Sequence, residues 1–241
     1  MNILLNKLID LKENHNAKGI KAEFESEGAT FEEIVQLKQL ASSAGLELTV
    51  KIGGCGASKD MQDTQIIGIN SLVAPMIESE YALQKFVETY QEIYTNKNIR
   101  LYINIETITG YTNLDHILSS KYFNYITGVI WGRGDMAKSM NIDNVEDKQL
   151  LEIGKNISEK VLAHNKEFII GGKITSKSLQ SLDKINFSYI ETRKIIFNQN
   201  VDSDGINKAI QFEIDWINEK KTFRETDKLR LEQLEKRYEH V

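Results

Sequence analysis

Segments typical of β-strands alternate with segments typical of α-helices along most of the 241-residue chain, and this alternation limits its possible folds. A helix between two strands returns the chain to the same edge of a sheet, so the strands that it joins lie parallel. Thr30 and Glu33 have the spacing of a helix-capping box, and Gly45 follows as a stop for the same helix. We predict seven strands, at residues 19–25, 46–52, 71–76, 101–105, 128–131, 167–170 and 189–197.

Seven strand-helix units predict a TIM-type (β/α)8 barrel rather than an open sheet, although the usual barrel has eight strands. We expect the missing strand within residues 2–18, or else a helix over residues 2–14 that closes an incomplete barrel. The barrel is therefore predicted to be irregular at its N-terminus. We assign the α/β barrel domain to residues 1–205 and a C-terminal helical extension to residues 206–241.

In the C-terminal extension, Ile210, Ile214 and Ile217 suit a packed helix, whereas residues 220–241 are dense in charge and carry only a thin apolar stripe, which includes Leu229 and Leu234. A single charged helix has no core of its own, so its apolar stripe needs a surface to cover. We predict that it docks on a neighbouring subunit, which would make the protein a homo-oligomer, or on the barrel itself. A solvated tail is the alternative for the final residues.

Charge and cysteine content argue against several classes of function. The net charge is −5 and the isoelectric point is near 5.5, so the chain offers no basic surface for nucleic acid or for an anionic membrane. The single cysteine, Cys55, cannot form an internal disulfide or a thiolate metal cluster. No apolar run approaches the roughly 20 residues that span a bilayer, and no segment has the pattern of a signal peptide. We expect a cytoplasmic protein.

Polar residues and glycines cluster where the predicted strands end. Because the carboxyl ends of parallel barrel strands share one face, these residues are expected to meet at a single mouth. Glycine-rich loops with a neighbouring cation suit anion binding through backbone amides, although glycine is also ordinary in turns. Glu78 and Glu191 hold similar positions without an assigned role, and an ion-pair network is the alternative for the cations. The predicted catalytic residues are Glu23, Glu25, Lys51 and Arg193, and the predicted substrate-binding residues are Gly53, Gly54, Gly132, Arg133, Gly134 and Lys173.

Two acids among these strand ends suggest a metal site. Glu106 follows the apolar run 101–105, and Asp135 follows the run 128–131 through a glycine-rich turn. If the two strands are neighbours, the carboxylates converge and suit a hard divalent cation such as Mg²⁺ or Mn²⁺. The alternative is that both acids cap the helices that come after them.

The sequence also resembles a known family. The segments KIGG, LVAPMIES, INIET followed by NLDHI, and GVIWGRGDM follow the pattern of the HpcH/HpaI aldolase and citrate lyase β-subunit family, part of the phosphoenolpyruvate/pyruvate-binding barrel superfamily. The likeness covers residues 22–197, and its most specific part is the pair IET and GRGD. It implies that Glu106 and Asp135 bind Mg²⁺ or a similar cation. It further implies an enzyme that breaks or forms a carbon-carbon bond beside the enolate of a pyruvate-like 2-oxo acid or an acyl-CoA.

Two departures from the family pattern bear on the chemistry. Lys51 stands where the family often has arginine, so the bidentate hydrogen bonding of a guanidinium is lost. The pyruvate aldolases of the family also carry a histidine base after an early strand, and the matching residues 25–29 contain none. Glu23, Glu25, Glu27 or a metal-bound water can take the proton, and the role stays unassigned. The histidines lie elsewhere: His15 precedes the first predicted strand, His116 and His164 lie in predicted helices, and His240 lies in the tail.

Three functional hypotheses remain. The first is a metal-dependent carbon-carbon lyase or aldolase that acts on a 2-oxo acid or a CoA thioester. The second is phosphoenolpyruvate-dependent transfer or rearrangement on the same barrel, and the third is a barrel without catalysis that binds a partner. Retention of both carboxylates favours the first two, whereas the absent histidine favours the last two. No long basic segment marks a CoA phosphate site, which favours a small or sugar-derived oxo acid.

Overall fold

Eight strands form a closed barrel in the computed structural model, which describes residues 2–95, 98–220 and 224–239. Each strand pairs with the next one along the chain, and the last pairs with the first. The strands are β1 (Ala17–Glu23), β2 (Glu47–Lys51), β3 (Ser71–Ala74), β4 (Arg100–Ile105), β5 (Gly128–Gly132), β6 (Glu167–Gly171), β7 (Tyr189–Glu191) and β8 (Ile195–Asn198).

Helices surround the barrel. The predicted capping box is present, because the hydroxyl of Thr30 accepts from the amide of Glu33 at 3.2 Å and the Glu33 carboxylate accepts from the amide of Thr30 at 3.0 Å. A short 3-10 helix also lies at Lys121–Tyr125. The described α-helices are α1 (Asn2–His15), α2 (Phe31–Ala44), α3 (Ser58–Ile67), α4 (Glu80–Ile93), α5 (Ile108–Thr112), α6 (Leu114–Ser119), α7 (Arg133–Ser139), α8 (Lys148–Ala163), α9 (Ser178–Ser181), α10 (Ser203–Asn218) and α11 (Glu225–Glu239).

The eighth strand comes from a hairpin. β7 and β8 are antiparallel, with Ile190 opposite Phe197, and β8 is also antiparallel to β1. The other neighbouring pairs are parallel. The predictions of one strand over residues 189–197 and of a missing strand within residues 2–18 are therefore wrong. The turn at residues 192–194 is short and contains no glycine, proline or asparagine that would mark it in the sequence.

The antiparallel direction of β8 determines at which end of the barrel the C-terminal helices begin. We call the rim at the carboxyl ends of β1 to β7 the mouth. β8 leads away from the mouth to the opposite rim, where Asp202 caps α10 and accepts a hydrogen bond from His15 at 2.9 Å. α10 packs against α1 on its way back, and α11 follows it at the mouth.

Two apolar layers hold the barrel. The inner layer is a cluster of Val73, Tyr102, Ile130 and Ile169, with Tyr189 against it. The outer layer is one large core between the strands and the helices. Its packing is close, since a Cβ atom at Gly154 would lie 2.2 Å from the Trp131 ring. The inner cluster fills the barrel below the mouth and leaves the space above it to polar side chains.

α11 docks on the barrel of its own chain. Arg230 donates to Glu27 in the loop after β1 at 2.7 Å, and to Glu213 of α10 at 2.7 Å. Glu27 also pairs with Lys194 of the β7–β8 turn, and these four side chains are all buried. Leu234 of the predicted apolar stripe is buried as well. Both an ion-pair cluster and an apolar contact therefore hold the helix.

The predicted TIM-type barrel with a C-terminal helical extension is confirmed. The extension covers its own barrel, which is one of the two predicted docking surfaces, and assembly into a homo-oligomer stays a prediction. The predicted domain boundary after residue 205 falls inside α10. Within the described residues, every helix is too short or too polar to span a bilayer.

Replacing Arg230 by alanine should lower the free energy of unfolding by about 3 kcal/mol, because Glu27 and Glu213 would stay buried with less compensation of their charge. Urea denaturation followed by tryptophan fluorescence measures the loss. Lys228→Ala is the matched control on the same helix, since its side chain is 60% exposed, and it should stay within about 0.5 kcal/mol of wild type. Equal losses in the two variants would show that the buried ion pairs do not hold α11.

Candidate active site

The mouth of the barrel opens into a cavity of about 720 Å³, which we call the mouth cavity. Strand ends and the loops after them form its walls, and α11 contributes Gln233 and Lys236. The structure therefore brings most of the predicted site to one place, while the chemical roles stay predictions. The predicted residues that line the cavity are Glu23, Glu25, Lys51, Glu106, Gly132, Gly134, Asp135, Lys173 and Arg193.

A layer of polar side chains separates the mouth cavity from the inner apolar cluster. Alternate residues of a strand face the interior of a barrel, and four of the strands contribute one or two polar side chains each to this layer. None of them is more than 5% exposed, and buried charges need partners. The polar layer consists of Lys21 and Glu23 on β1, Lys51 on β2, Asn104 on β4 and Glu191 on β7.

The two buried lysines are held as ammonium ions. Lys51 Nζ lies 2.7 Å from Glu25 and 3.7 Å from Glu23, while Lys21 Nζ pairs with Glu191 and lies 3.4 Å from Glu23. Burial alone would lower the pKa of either lysine. The carboxylates outweigh burial, chiefly Glu191 for Lys21 and Glu23 for Lys51, and they raise the pKa of both lysines above the ordinary value.

Glu23 is the shared acid of this layer. Burial alone would raise its pKa, but the charges of Lys21, Lys51 and Arg193 outweigh burial and hold the pKa of Glu23 far below its ordinary value. Ser26 also donates a hydrogen bond to its carboxylate. An acid that is so firmly ionised is a weak proton acceptor. Its position suits charge compensation better than the role of a base, for which Glu23 was one of several candidates.

Glu106 is fixed by two hydrogen bonds at the end of β4. Its Oε1 accepts from the amide of Met76 at 3.0 Å, and its Oε2 accepts from Asn104 at 2.8 Å. Met76 has a φ of +46°, a conformation that a non-glycine residue seldom adopts. Burial raises the pKa of Glu106, and repulsion from Asp135 raises it further. The charge of Lys51 and the two hydrogen-bond donors lower the same pKa, but the net shift is upward.

Asp135 stands on the same side of the mouth as Glu106. It lies in the first turn of α7, its side chain is 53% exposed, and it pairs with Lys138 at 2.8 Å. Gly132, three residues before Asp135, lies directly against the other acid, since a Cβ atom there would lie only 2.6 Å from Glu106 Oε2. The described residues contain no group of three His, Cys, Asp or Glu side chains that could hold a metal ion. A cation held by Glu106 and Asp135 would therefore take no third ligand of these types from the described residues.

Three cations stand at the rim, and their side chains make no hydrogen bond or ion pair to any residue in the described parts of the chain. Lys173 comes from the loop after β6, Arg193 from the β7–β8 turn, and Lys236 from α11. Arg193 is half-buried and faces the charges of Glu23 and Glu27. Cations in such a setting suit the anionic groups of a ligand.

Arg133 takes a different place from the one predicted. Its side chain is fully buried, and its guanidinium donates to the carbonyl of Gly172 at 3.2 Å, to Ser178 at 3.2 Å and to Glu146 at 3.1 Å. It is not among the described residues that line the mouth cavity. Arg133 therefore ties the loop after β6 to α7 and α9, and the predicted contact with substrate has no support in its position.

The glycine loop after β2 also differs from its prediction. The amide of Gly53 donates to Asp60 at 2.7 Å, which closes the loop on its own helix α3. Neither Gly53 nor Gly54 lies among the described residues that line the cavity. The ordinary turn, which was the alternative for this loop, describes it better than an anion site.

Sequence reasoning missed several residues of the cavity. Lys21 and Asn104 were not among the predicted site residues because each lies inside a strand rather than at its end, although their alternation with Glu23 and Glu106 gives them the same inward face. Gln233 and Lys236 belong to a helix whose docking surface the sequence does not specify. No histidine lines the cavity in the described residues, since His15 lies at the opposite rim and His240 lies outside them.

A family model described as HpcH/HpaI aldolase/citrate lyase matches residues 29–173, which is more than half of the chain. The matched region holds Lys51, Glu106 and Asp135 and ends before the β7–β8 hairpin. No curated protein sequence matches this chain.

Several solved structures share the fold. An HpcH/HpaI aldolase from Desulfitobacterium hafniense has a TM-score of 0.64 and 14% identity, over 93% of this chain and 92% of that one. The citrate synthase SbnG has a TM-score of 0.62 and 14% identity, over 78% and 81%. RipC from Yersinia pestis has a TM-score of 0.54 and 18% identity, over 80% and 87%. At such identities the likeness concerns the fold alone.

A side chain at Gly132 should disturb the site. Gly132→Ala places a methyl group 2.6 Å from Glu106 Oε2, and overpacking of this kind lowers the free energy of unfolding by about 1–3 kcal/mol. Gly54→Ala is the control, because nothing lies within 4 Å of a Cβ atom there, and it should change stability by less than about 0.5 kcal/mol. Thermal unfolding compares the two variants. A neutral Gly132→Ala would mean that Glu106 does not lie against this glycine.

Proposed function

Because the chain belongs to the HpcH/HpaI aldolase/citrate lyase family, we propose that it is a carbon-carbon lyase that depends on a divalent metal and acts through the enolate of a 2-oxo acid or a CoA thioester. The observation that carries the proposal is the position of Glu106 and Asp135 on one cavity. Lys51 supports it, because its ammonium group lies close enough to Glu106 to influence the pKa of that acid.

A divalent cation fits the charges of this cavity. Its buried acids and lysines are Glu23, Glu106, Glu191, Lys21 and Lys51. Among these buried groups one negative charge is left over, which a bound divalent cation would compensate. Glu106 and Asp135 would hold the ion, and Mg²⁺ commonly takes only one or two carboxylates from a protein. When bound, the metal would stabilise the negative charge of an enolate.

The cations of the cavity suit the charges of such a substrate. Lys51 is buried near Glu106, where an ammonium ion can neutralise charge that develops on a carbonyl oxygen. Lys173, Arg193 and Lys236 stand at the rim and suit a carboxylate or another anionic group farther along the substrate. The volume of about 720 Å³ lies in the range of small-molecule sites.

Metal binding can be tested with oxalate, a planar mimic of the pyruvate enolate. Mg²⁺ or Mn²⁺ together with oxalate should stabilise the wild-type protein by about 2.7 kcal/mol at a hundredfold excess over the dissociation constant. Glu106→Gln and Asp135→Asn should lose most of this gain, because each removes a ligand charge. Thermal unfolding with and without the metal measures the effect.

Glu47→Gln is the matched control for that experiment. Glu47 lies at the start of β2, at the opposite rim, where it pairs with Arg100. The control should keep the full gain from metal and oxalate. Equal gains in wild type, Glu106→Gln and Asp135→Asn would contradict the proposed metal site.

The protonation of Lys21 and Lys51 argues against a second route, in which some aldolases form a Schiff base on a lysine. An amine must be neutral to attack a carbonyl carbon, and the carboxylates around Lys21 and Lys51 raise the pKa of both against the opposing effect of burial. We therefore expect no adduct on either lysine after incubation with pyruvate and cyanoborohydride at pH 8. Peptide mass mapping checks this, and a reduced pyruvate adduct on Lys21 or Lys51 would contradict the metal-dependent route.

A further inference from the structure

Glu191 stands at the floor of the mouth cavity, and no role has been assigned to it. We propose that Glu191 is the acid–base residue that exchanges a proton with the substrate carbon next to the carbonyl group. The inference rests on the proposed function, and it supplies the group that the absent family histidine leaves open.

The position of Glu191 is the first support. It ends β7, directly before the turn that starts the reversed strand, and its side chain is 3% exposed. Glu191 and Ile130 border both the mouth cavity and a void of about 20 Å³ beneath it, so Glu191 forms part of the floor. Gly171 on β6 leaves room for the carboxylate, since a Cβ atom there would lie 2.8 Å from Glu191 Oε1.

The two carboxylate oxygens of Glu191 differ in their partners. Oε1 accepts a hydrogen bond from Lys21, whereas Oε2 is buried and has no hydrogen-bond partner among the described residues. A buried polar atom without a partner is costly and calls for a physical reason. A proton acceptor that must remain free for the substrate is such a reason. Lys21 is then a positioning residue, because it fixes which oxygen stays free.

The surrounding charges leave Glu191 easier to protonate than Glu23. Lys21 and Glu23 face it from β1, Lys51 faces it from β2, and its neighbours on β6 and β8 are the uncharged Gly171 and Ile196. Burial is the largest influence and raises the pKa of Glu191, Glu23 adds to the rise, and the two lysines oppose it. The net pKa of Glu191 is raised, which is the direction that suits a carboxyl group in acid–base exchange.

The other acids of the cavity are less suited to this role. Glu23 has a strongly lowered pKa because the lysines and Arg193 outweigh burial, and Glu25 pairs with Lys51 at 2.7 Å. Asp135 is half-exposed and pairs with Lys138. Glu106 and Asp135 are also assigned to the metal. Glu191 is therefore the acid of the cavity that combines burial, a free oxygen and a raised pKa.

The proposed step moves a proton from a substrate carbon to Glu191. The C–H bond next to the substrate carbonyl breaks, and its electron pair forms the carbon-carbon double bond of the enolate. The proton passes to Oε2 of Glu191, while the carbonyl oxygen takes the negative charge near the ammonium group of Lys51. In the reverse direction Glu191 returns the proton to carbon.

Deuterium uptake by the methyl group of pyruvate tests the proposal. The wild-type protein with Mg²⁺ in D2O should exchange these protons, and ¹H NMR follows the loss of the methyl signal. Glu191→Gln should slow the exchange at least about a hundredfold, in line with the usual contribution of an acid–base residue. Glu191→Gln should still be stabilised by Mg²⁺ and oxalate. Glu106→Gln should lose both the proton exchange and the stabilisation. Glu47→Gln at the opposite rim should keep both.

Chemical rescue separates proton transfer from a structural role. Glu191→Ala leaves space for a small carboxylate, so formate should raise its exchange rate at least about tenfold and should leave the wild-type rate unchanged. Circular dichroism and the oxalate response confirm that the variant is folded. A variant that is folded and binds oxalate but gains nothing from formate would overturn the proton-transfer role.

The remaining outcomes distinguish the two proposals. Exchange by Glu191→Gln at the wild-type rate would overturn the role of Glu191 and leave the metal site intact. A wild-type protein that responds to Mg²⁺ and oxalate but exchanges no pyruvate protons would overturn it too. A wild-type protein with no response to metal and oxalate would overturn the proposed function itself.

Discussion

The structure depends on how the barrel compensates charges that it has buried in its own interior. Lys21 and Lys51 lie above an apolar cluster, and Glu23 stands between them at 3.4 and 3.7 Å. Removing one partner from such a set leaves an uncompensated charge, which is far more destabilising than the loss of a surface ion pair. The floor of the cavity is thus held together by ion pairs among its own residues, and an incoming ligand meets charges that are already in place.

Much of the fold could be predicted from patterns in the sequence. The strands from β1 to β6 were predictable because apolar runs and helical periods alternate, and α2 because its capping box and its stop at Gly45 are both present. The hairpin was not predictable in the same way. Its turn consists of Thr192, Arg193 and Lys194, none of which marks a reversal, so two short strands look like a single longer one.

The site was predictable to the extent that barrel geometry alone decides it. The carboxyl ends of parallel barrel strands share one face, so residues there meet at the mouth regardless of the surrounding sequence. Glu106, Asp135 and Lys51 line one cavity for this reason. Arg133 was misplaced by this reasoning because its guanidinium already hydrogen-bonds to Glu146 and Ser178. A sequence alone does not reveal such partners. The oxygen of Glu191 that lacks a partner is likewise visible only in three dimensions.

The reversed strand also bears on how the protein is made. β8 pairs with β1, so the sheet cannot close until residues 195–198 have been synthesised. Domains form as the ribosome releases them, and a contact of this span comes late in synthesis. Until then the charged interior is open to water along one side, and α11 is the last described element to emerge. We therefore expect nascent chains that stop before residue 195 to expose the unpaired edge of β1 and apolar residues of the unfinished core, which favours chaperone binding over early catalysis.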